Sequence, residues 1–132
     1  MKKWQATDPD MPVFRLNKQL NFPPVQLSEP DGLLAAGGDL SVERLLLAYR
    51  SGIFPWYEEP PILWWSPDPR FVLFPDELKV SASMKQVLKK QQFRISFNED
   101  FAGVIARCSS IPREGRTGTW ITPEMQEAYM RL

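Results

Sequence analysis

The chain has 132 residues, which is enough for one ordinary domain, or for one small domain with part of another. Its hydrophobic share of 43% excludes wholesale disorder, and the 16 basic and 16 acidic residues cancel, so the net charge does not attract a polyanion. Because histidine is absent and there is one cysteine, imidazole-based catalytic triads and ordinary zinc sites are excluded; we expect no metal and no cofactor.

The composition also bears on location. No apolar run is long enough to span a membrane, and the first residues lack the apolar core of a signal peptide. A lone cysteine fits a reducing compartment. These features predict a soluble cytoplasmic chain with no membrane partner.

The first part of the chain contains one clear helix signal. Residues 1–30 mix charge and proline without a sustained period, which predicts mostly extended or irregular structure. Ser41 is a suitable N-cap, and Gly52 stands where a left-handed residue ends a helix. The pattern predicts a helix over roughly 41–51.

A proline-rich block over residues 52–70 carries three of the five tryptophans, Trp56, Trp64 and Trp65. Prolines fix their own φ and push the preceding residue toward extended conformations, so this block predicts a stiff, non-helical path that carries aromatic faces. Such faces suit a planar, partly apolar ligand, of which a nucleobase is the commonest. The alternative is that the indoles simply fill a core.

The segment after this block predicts two strands and two helices. Residues 71–74 and 93–97 have strand patterns, the second one half-buried. Between them, Ser81 or Ser83 caps a helix whose predicted buried stripe is Met84, Val87 and Leu88.

Asn98 is expected to cap the helix that carries Cys108, a thiol predicted to be buried and unreactive. A polar loop follows at 109–119, and Thr122 and Pro123 then open a last helix. Its apolar positions continue to Leu132 without a stop signal, so we expect a missing partner segment.

Two groups of residues are candidate binding sites. Trp56 and Trp120 lie at element ends, where ligand-facing residues concentrate, and Tyr129 follows two turns into the last helix; if the three converge, two indoles clasp a base. A cluster of cations suited to a phosphate backbone comprises Lys85, Lys89 and Lys90, whose alternative role is the solvated face of a helix.

Three shorter motifs favour turn or loop chemistry over a site. Gly37-Gly38 is not followed by the lysine of a phosphate cradle, so it predicts a turn. Residues 68–70 and 114–116 each contain an acid and an arginine that could serve a site, but in sequence they are more typical of turns and loops.

Several blocks in order make the chain resemble the bacterial leucyl/phenylalanyl-tRNA-protein transferases, from about Phe22 to the end. The matching blocks are Leu33 to Ser41, Ala48-Tyr49, Gly52 to Trp56, Ile62 to Arg70, Ser83 to Lys85 and Gly118 to Thr122.

The resemblance implies an α+β fold, with a small N-terminal domain at 1–70 and the beginning of an acyl-CoA N-acyltransferase-like domain at 71–132. It implies transfer of leucine or phenylalanine from aminoacyl-tRNA to the N-terminal arginine or lysine of an acceptor protein, which marks that protein for N-end rule degradation. Trp56 and Trp120 resemble the pair that holds the terminal adenosine, and Tyr129 resembles a neighbouring substrate contact. Lys85, Lys89 and Lys90 fall on the family's tRNA-binding helix, where Ala82 and Gln86 replace expected cations.

The family's proton-handling groups and its apolar side-chain pocket correspond to positions beyond Leu132, so we assign no catalytic residue and expect this chain alone to be insufficient for turnover. Two other interpretations stay open. One is a non-enzymatic aromatic and proline-rich module that binds a peptide or single-stranded nucleic acid; the other is a purely structural fragment.

Overall fold

The computed structural model describes residues 13–111 and 119–132. The loop predicted at 109–119 and the charged motif at 114–116 lie wholly or largely outside these residues. Within them the chain forms a small α+β domain with a four-stranded mixed sheet and four helices. The strands are β1 (Phe14–Leu16), β2 (Leu33–Gly37), β3 (Phe54–Pro55) and β4 (Leu63–Trp65), and the helices are α1 (Val42–Arg50), α2 (Ala82–Lys89), α3 (Phe101–Ser110) and α4 (Pro123–Met130).

The sheet has the spatial order β1-β2-β4-β3. β1 runs parallel to β2, whereas β4 is antiparallel to both β2 and β3. The β3–β4 pair places Phe54 opposite Trp65 and Pro55 opposite Trp64. The proline-rich block is therefore non-helical as predicted, but it folds into a hairpin that its sequence pattern did not indicate.

One apolar core joins the sheet to α1 and α4. Leu34 and Ala35 from β2, Leu45 from α1 and Trp64 from β4 are almost fully buried in it. Met125 and Ala128 of α4 belong to the same cluster. Helix α4 therefore packs on the core of the sheet. The predicted domain boundary at residue 70 stays a prediction.

Helix α1 confirms the predicted element and both of its ends. The Ser41 hydroxyl accepts a hydrogen bond from the Arg44 amide, which is the N-cap interaction. Gly52 has φ +72°, so the left-handed residue expected after the helix is present.

Gly32 fixes the turn before β2. Its φ is +94°, and a Cβ on Gly32 would stand 2.6 Å from the backbone of Pro67. Only glycine fits both the backbone conformation and this close approach. The turn thereby holds the start of β2 against the end of the proline-rich block.

The two strands predicted at 71–74 and 93–97 are wrong. Neither segment pairs with another strand, and Phe71, Phe93 and Phe97 are largely exposed. A strand pattern forms a strand only where a neighbouring edge offers backbone partners. In the described residues neither segment has such a partner.

Helix α2 is present with Ser81 as its N-cap, but its predicted buried stripe is wrong. Met84 and Leu88 are about half exposed and Val87 is partly buried, because nothing in the described residues covers that face. The stripe is amphipathic as the sequence indicated, but it lacks a packing partner here.

Helix α3 begins two residues later than predicted. Asp100, not Asn98, is the N-cap, and its carboxylate accepts a hydrogen bond from the Gly103 amide; Asn98 instead has φ +57°. Cys108 is only partly buried, so the prediction of a buried thiol is wrong in degree. Ile105 is the buried residue of this helix, and α3 contacts α4.

Helix α4 confirms the predicted start. The Thr122 hydroxyl accepts a hydrogen bond from the Met125 amide, and Pro123 occupies the first turn. Among the described helices, none has the length and apolar character needed to cross a membrane.

Candidate functional site

An open cavity of about 220 Å³ is lined by Phe54, Pro55, Trp56 and Trp120. The residues come from β3, from the position directly after it, and from the segment that leads into α4. Trp56 and Trp120 are 64 positions apart in sequence, so only the tertiary fold brings them together. Trp56 is 44% exposed, whereas Trp120 is partly buried. The cavity therefore has one indole wall that is open to solvent and one that the protein partly covers.

The position of Trp56 is fixed by its own backbone. Its amide donates a hydrogen bond of 3.0 Å to the Leu63 carbonyl, and its carbonyl accepts one of 2.7 Å from the indole nitrogen of Trp65. The Trp56 and Trp65 rings lie 5.8 Å apart in a tilted arrangement. Trp65 therefore holds the backbone of Trp56 and packs beside its ring.

Trp120 is held by the start of α4. The next residue, Ile121, is buried, and its amide donates a hydrogen bond to the Thr119 hydroxyl at 3.2 Å. The Thr122 cap then begins the helix whose Met125 side chain is fully buried in the core. One buried residue and one capped helix thus follow Trp120 directly and hold its backbone against the core.

Trp64 behaves differently from Trp56. It is fully buried, its indole nitrogen donates a hydrogen bond of 2.8 Å to the Gly37 carbonyl, and the Phe22 ring packs edge-on at 4.9 Å. For Trp64 the core-filling alternative is therefore right, and for the accessible Trp56 ring it is wrong.

Tyr129 does not line the cavity. Its hydroxyl forms a hydrogen bond with the Tyr49 hydroxyl of α1, and the two rings lie 6.3 Å apart, edge to face. Burial, followed by the hydrogen bond with Tyr49, raises the pKa of the Tyr129 phenol above its ordinary value. This phenol is therefore a neutral hydrogen-bonding group, and Tyr49 is its partner.

A hydrogen bond also connects α4 to the β3–β4 hairpin. The buried Tyr57 hydroxyl donates a hydrogen bond of 3.4 Å to the Glu124 carboxylate. Burial, with the nearby Glu124 charge, raises the pKa of the Tyr57 phenol. Tyr57 follows Trp56 directly and Glu124 lies four residues after Trp120, so this bond joins the two sides of the cavity.

A larger open cavity of about 520 Å³ lies beside α1 and is lined mainly by residues 20–25. Its one aromatic wall residue, Phe22, already packs against Trp64. It therefore offers no pair of facing rings and is a weaker match to a planar ligand.

The three candidate lysines lie on α2 or at its end. Lys85 and Lys89 are one helical turn apart and Lys90 is the C-cap residue; all three are exposed. Among residues 13–111 and 119–132 none of them forms an ion pair. The helix thus presents three unneutralised cations, which fits either a phosphate-binding surface or a solvated helix face.

Sequence reasoning missed the residues that complete the site. Phe54 and Pro55 line the cavity, Trp65 supports Trp56, and Tyr49 pairs with Tyr129. The aromatic block contained the first three, but their roles depend on the β3–β4 register, which no local pattern indicates.

Two family models match the chain. The model described as leucyl/phenylalanyl-tRNA protein transferase N-terminal domain matches residues 38–68, and the model described as leucyl/phenylalanyl-tRNA protein transferase matches residues 72–132. Together the two matches contain Trp56, Trp120, Tyr129 and the three lysines.

Curated relatives agree with these matches. The chain is 63% identical over 123 residues to the leucyl/phenylalanyl-tRNA–protein transferase of Syntrophobacter fumaroxidans, an alignment that covers 92% of this chain and 53% of the relative. It is 58% identical to the one of Syntrophus aciditrophicus, with 92% and 52% covered, and 60% identical to the one of Azotobacter vinelandii, with 86% and 51% covered.

An α+β domain that has an aromatic cavity, and that also carries an exposed cationic helix, has the side-chain chemistry suited to a nucleotide-bearing ligand. The chain belongs to the leucyl/phenylalanyl-tRNA–protein transferase family. It spans about half the length of the curated relatives that it matches. The alternative of a non-enzymatic binding module is not supported, since these three relatives are all transferases.

Proposed function

We propose that the chain is a working part of an aminoacyltransferase that moves leucine or phenylalanine from aminoacyl-tRNA to the N-terminal arginine or lysine of a protein. The observation that carries this proposal is the cavity that Trp56 and Trp120 line together. In this proposal the cavity takes the terminal adenosine of the tRNA, and the product is marked for N-end rule degradation.

The size of the cavity supports a base-sized ligand. Drug-sized ligands occupy pockets of about 300–1,000 Å³, whereas this one is about 220 Å³. Its walls are three aromatic rings and a proline, and a stacked base gains roughly 1–3 kcal/mol from an aromatic side chain. A purine fits this wall chemistry, and the ribose with its aminoacyl ester remains outside the rings.

The proposed reaction needs little from the protein. An aminoacyl ester is already activated, so the acceptor α-amine attacks its carbonyl once the two are held together and the amine has lost its proton. Donors must then stabilise the tetrahedral oxyanion before the ribose hydroxyl leaves. A chain without histidine is consistent with direct transfer, in which no covalent enzyme intermediate forms. We assign no catalytic residue among the described residues.

Tyr129 is proposed as a substrate contact that acts together with Tyr49. The hydrogen-bonded phenols lie on α4 and α1, and Tyr49 is about half exposed. A neutral phenol pair offers both a donor and an acceptor to a polar group of the substrate. We place this pair outside the base cavity because neither ring lines it.

Lys85, Lys89 and Lys90 are proposed to contact the tRNA backbone. Cations that neutralise phosphates release condensed counterions, which supplies affinity without base specificity. Because this chain has no net charge, its attraction for RNA would come from a local group of cations such as this one.

The remaining expectations are also proposals. We propose an acyl-CoA N-acyltransferase-like domain that begins after the boundary at residue 70, and a cytoplasmic location. The segments at 71–74 and 93–97 support the first, because they have strand patterns but lack strand partners in the described residues. The resemblance supports the second.

Equilibrium binding of a nonhydrolysable leucyl-adenosine analogue tests the site. The intact chain should bind it saturably, and Trp56→Ala or Trp120→Ala should each weaken binding by about 1–3 kcal/mol, which is roughly fivefold to 150-fold. The matched control is Phe93→Ala, because Phe93 is an exposed ring that does not line the cavity. Unchanged affinity in both tryptophan variants would reject the site, and equal binding of any oligonucleotide would favour a general module.

A further inference from the structure

The side chain of Arg70 lies beside the aromatic cavity. Its guanidinium carbon is 5.7 Å from the centre of the Phe54 ring, and Phe54 is one of the four residues that line the cavity. Arg70 is exposed. Arg70 follows the β3–β4 hairpin in sequence, and Trp56 lies within that hairpin.

A hydrogen bond to the backbone holds the guanidinium of Arg70 in place. Its Nη2 donates a hydrogen bond of 2.6 Å to the Gly52 carbonyl, which also accepts one of 3.3 Å from the Ser66 hydroxyl. A guanidinium has five N–H donors in a planar fork. Within the part of the chain that the structure describes, this is the only hydrogen bond of Arg70, so its other donors are available to a ligand.

Among residues 13–111 and 119–132 no acid forms an ion pair with Arg70. Asp68, two residues earlier, is exposed but forms no ion pair with it, and the ion pairs among the described residues involve other arginines. A planar, exposed guanidinium that stacks near a ring lining an aromatic cavity, and that has no acidic partner among the described residues, has the chemistry that recognises a phosphate.

We infer that Arg70 binds the phosphate on the 5′ side of the nucleoside whose base occupies the cavity lined by Trp56 and Trp120. This inference rests on the proposed function. It adds a charged subsite to the aromatic cavity, the tyrosine pair and the lysine cluster. In a tRNA this phosphate joins the terminal nucleotide to the rest of the strand, so the subsite distinguishes the end of a polynucleotide from a free nucleoside.

The alternative role of Arg70 is purely structural. In that role its bond to the Gly52 carbonyl would serve only to steady the turn that leads into β3, and replacing Arg70 would weaken the binding of every ligand of the cavity. The two roles differ in one measurable respect. A structural role affects adenosine and its phosphorylated forms equally, whereas a phosphate contact affects only the ligand with phosphate at the 5′ position.

The test compares adenosine, adenosine 5′-monophosphate and adenosine 3′-monophosphate, each titrated against the intact chain by calorimetry. We expect the 5′-monophosphate to bind about fivefold to tenfold more tightly than adenosine, and the 3′-monophosphate to gain less. In Arg70→Gln this preference should vanish while adenosine affinity stays unchanged, and Arg70→Lys should retain part of it.

Ionic strength gives an independent readout. The affinity for the 5′-monophosphate should fall with added salt more steeply than that for adenosine, and the difference in log–log slope should be lost in Arg70→Gln. A preference for the 5′-monophosphate that survives in Arg70→Gln would overturn the inference, as would equal loss of adenosine binding in that variant. If the unmodified chain binds adenosine with no preference for the 5′-monophosphate, only the phosphate subsite fails; if it binds neither ligand, the proposed function fails with it.

Discussion

The indole nitrogen of Trp65 donates a hydrogen bond of 2.7 Å to the backbone carbonyl of Trp56, and the two rings lie 5.8 Å apart. Trp56 is the exposed wall of the aromatic cavity and Trp65 is the residue that fixes it. Both belong to one hairpin, Trp65 on β4 and Trp56 directly after β3, so the orientation of the exposed Trp56 ring depends on strand register.

Trp65→Phe should lower the affinity of the cavity for adenosine without removing a residue that lines it. The variant keeps an aromatic ring but loses the hydrogen bond, which costs about 0.5–1.5 kcal/mol of folding stability. Trp56 is then less constrained, and ordering it on binding should lower adenosine affinity about twofold to tenfold. Denaturant unfolding and calorimetric titration measure the two effects. Phe74→Leu, at an exposed ring outside the cavity, is the control and should change neither value.

Arg44→Met should destabilise the fold. The Arg44 side chain is almost fully buried, and its Nη2 donates hydrogen bonds to the backbone carbonyls of Asn17 and Gln19, at 2.9 and 3.1 Å. Removing the donor should cost about 1–3 kcal/mol, measured by denaturant unfolding. Arg15→Met, on the exposed side of β1, is the matched control and should lie within about 0.5 kcal/mol of the unmodified chain. Equal stability of the two variants would contradict this role.

Asp39 should give the fold a dependence on acid pH. Burial opposes the charged carboxylate, but hydrogen bonds from Ser41 and Arg44 outweigh it and lower the pKa of Asp39 below 3.8. The unfolded chain therefore binds this proton more readily, so the stabilisation is present above pH 3.8 and is lost as pH falls through the lower folded-state pKa. The stability difference between the unmodified chain and Asp39→Asn should shrink across that acid range, and a difference independent of pH would refute the assignment.

The lysines of α2 should contribute to RNA affinity through salt-dependent contacts. Replacing Lys85, Lys89 or Lys90 with alanine should each reduce the slope of log affinity for tRNA against log salt by about 1. Filter binding over a range of salt concentrations measures this slope. Lys18→Ala removes an exposed cation outside α2 and should leave it unchanged. Equal slopes in all four variants would assign the lysines to a solvated helix face.

The exposed apolar side chains over 71–111 should make the chain bind a partner. Phe71, Phe93 and Phe97 are each at least three-quarters exposed, and soluble monomers rarely leave apolar patches of more than a few hundred Å² uncovered. We predict that co-production with the unmatched half of the Syntrophobacter fumaroxidans relative yields a complex and lowers binding of an apolar dye. Phe97→Asp should weaken the complex, whereas Leu20→Asp, at an exposed position on the sheet domain, should not. Failure to copurify, with no dye binding by the chain alone, would contradict the prediction.

Helix starts were predictable because they are local. Ser41, Ser81 and Thr122 each accept a hydrogen bond from an amide three residues later, and that interaction depends on a few neighbouring residues. The exception is α3, where Asp100 caps the helix in place of Asn98. Two acceptor side chains so close together in sequence are not distinguished by their spacing alone.

Strands and burial were less predictable because they depend on partners far away in the chain. The alternation at 93–97 is genuine, but without a neighbouring edge it remains exposed. The β3–β4 hairpin, by contrast, forms in a block whose prolines gave no strand pattern. In the candidate site, Trp56 and Trp120 were singled out from their positions at element ends and do line one cavity, whereas the roles of Trp65 and Tyr49 required the tertiary arrangement.

The packing of α4 on the core of the sheet couples the aromatic cavity to the unfolding of the domain. Met125 and Ala128 share their burial with Leu45 and Trp64, so displacing α4 together with the segment that carries Trp120 would expose residues of the main core. The aromatic cavity and the global fold should therefore unfold as one cooperative unit. Quenching of tryptophan fluorescence by ligand and far-ultraviolet ellipticity should then disappear at the same temperature.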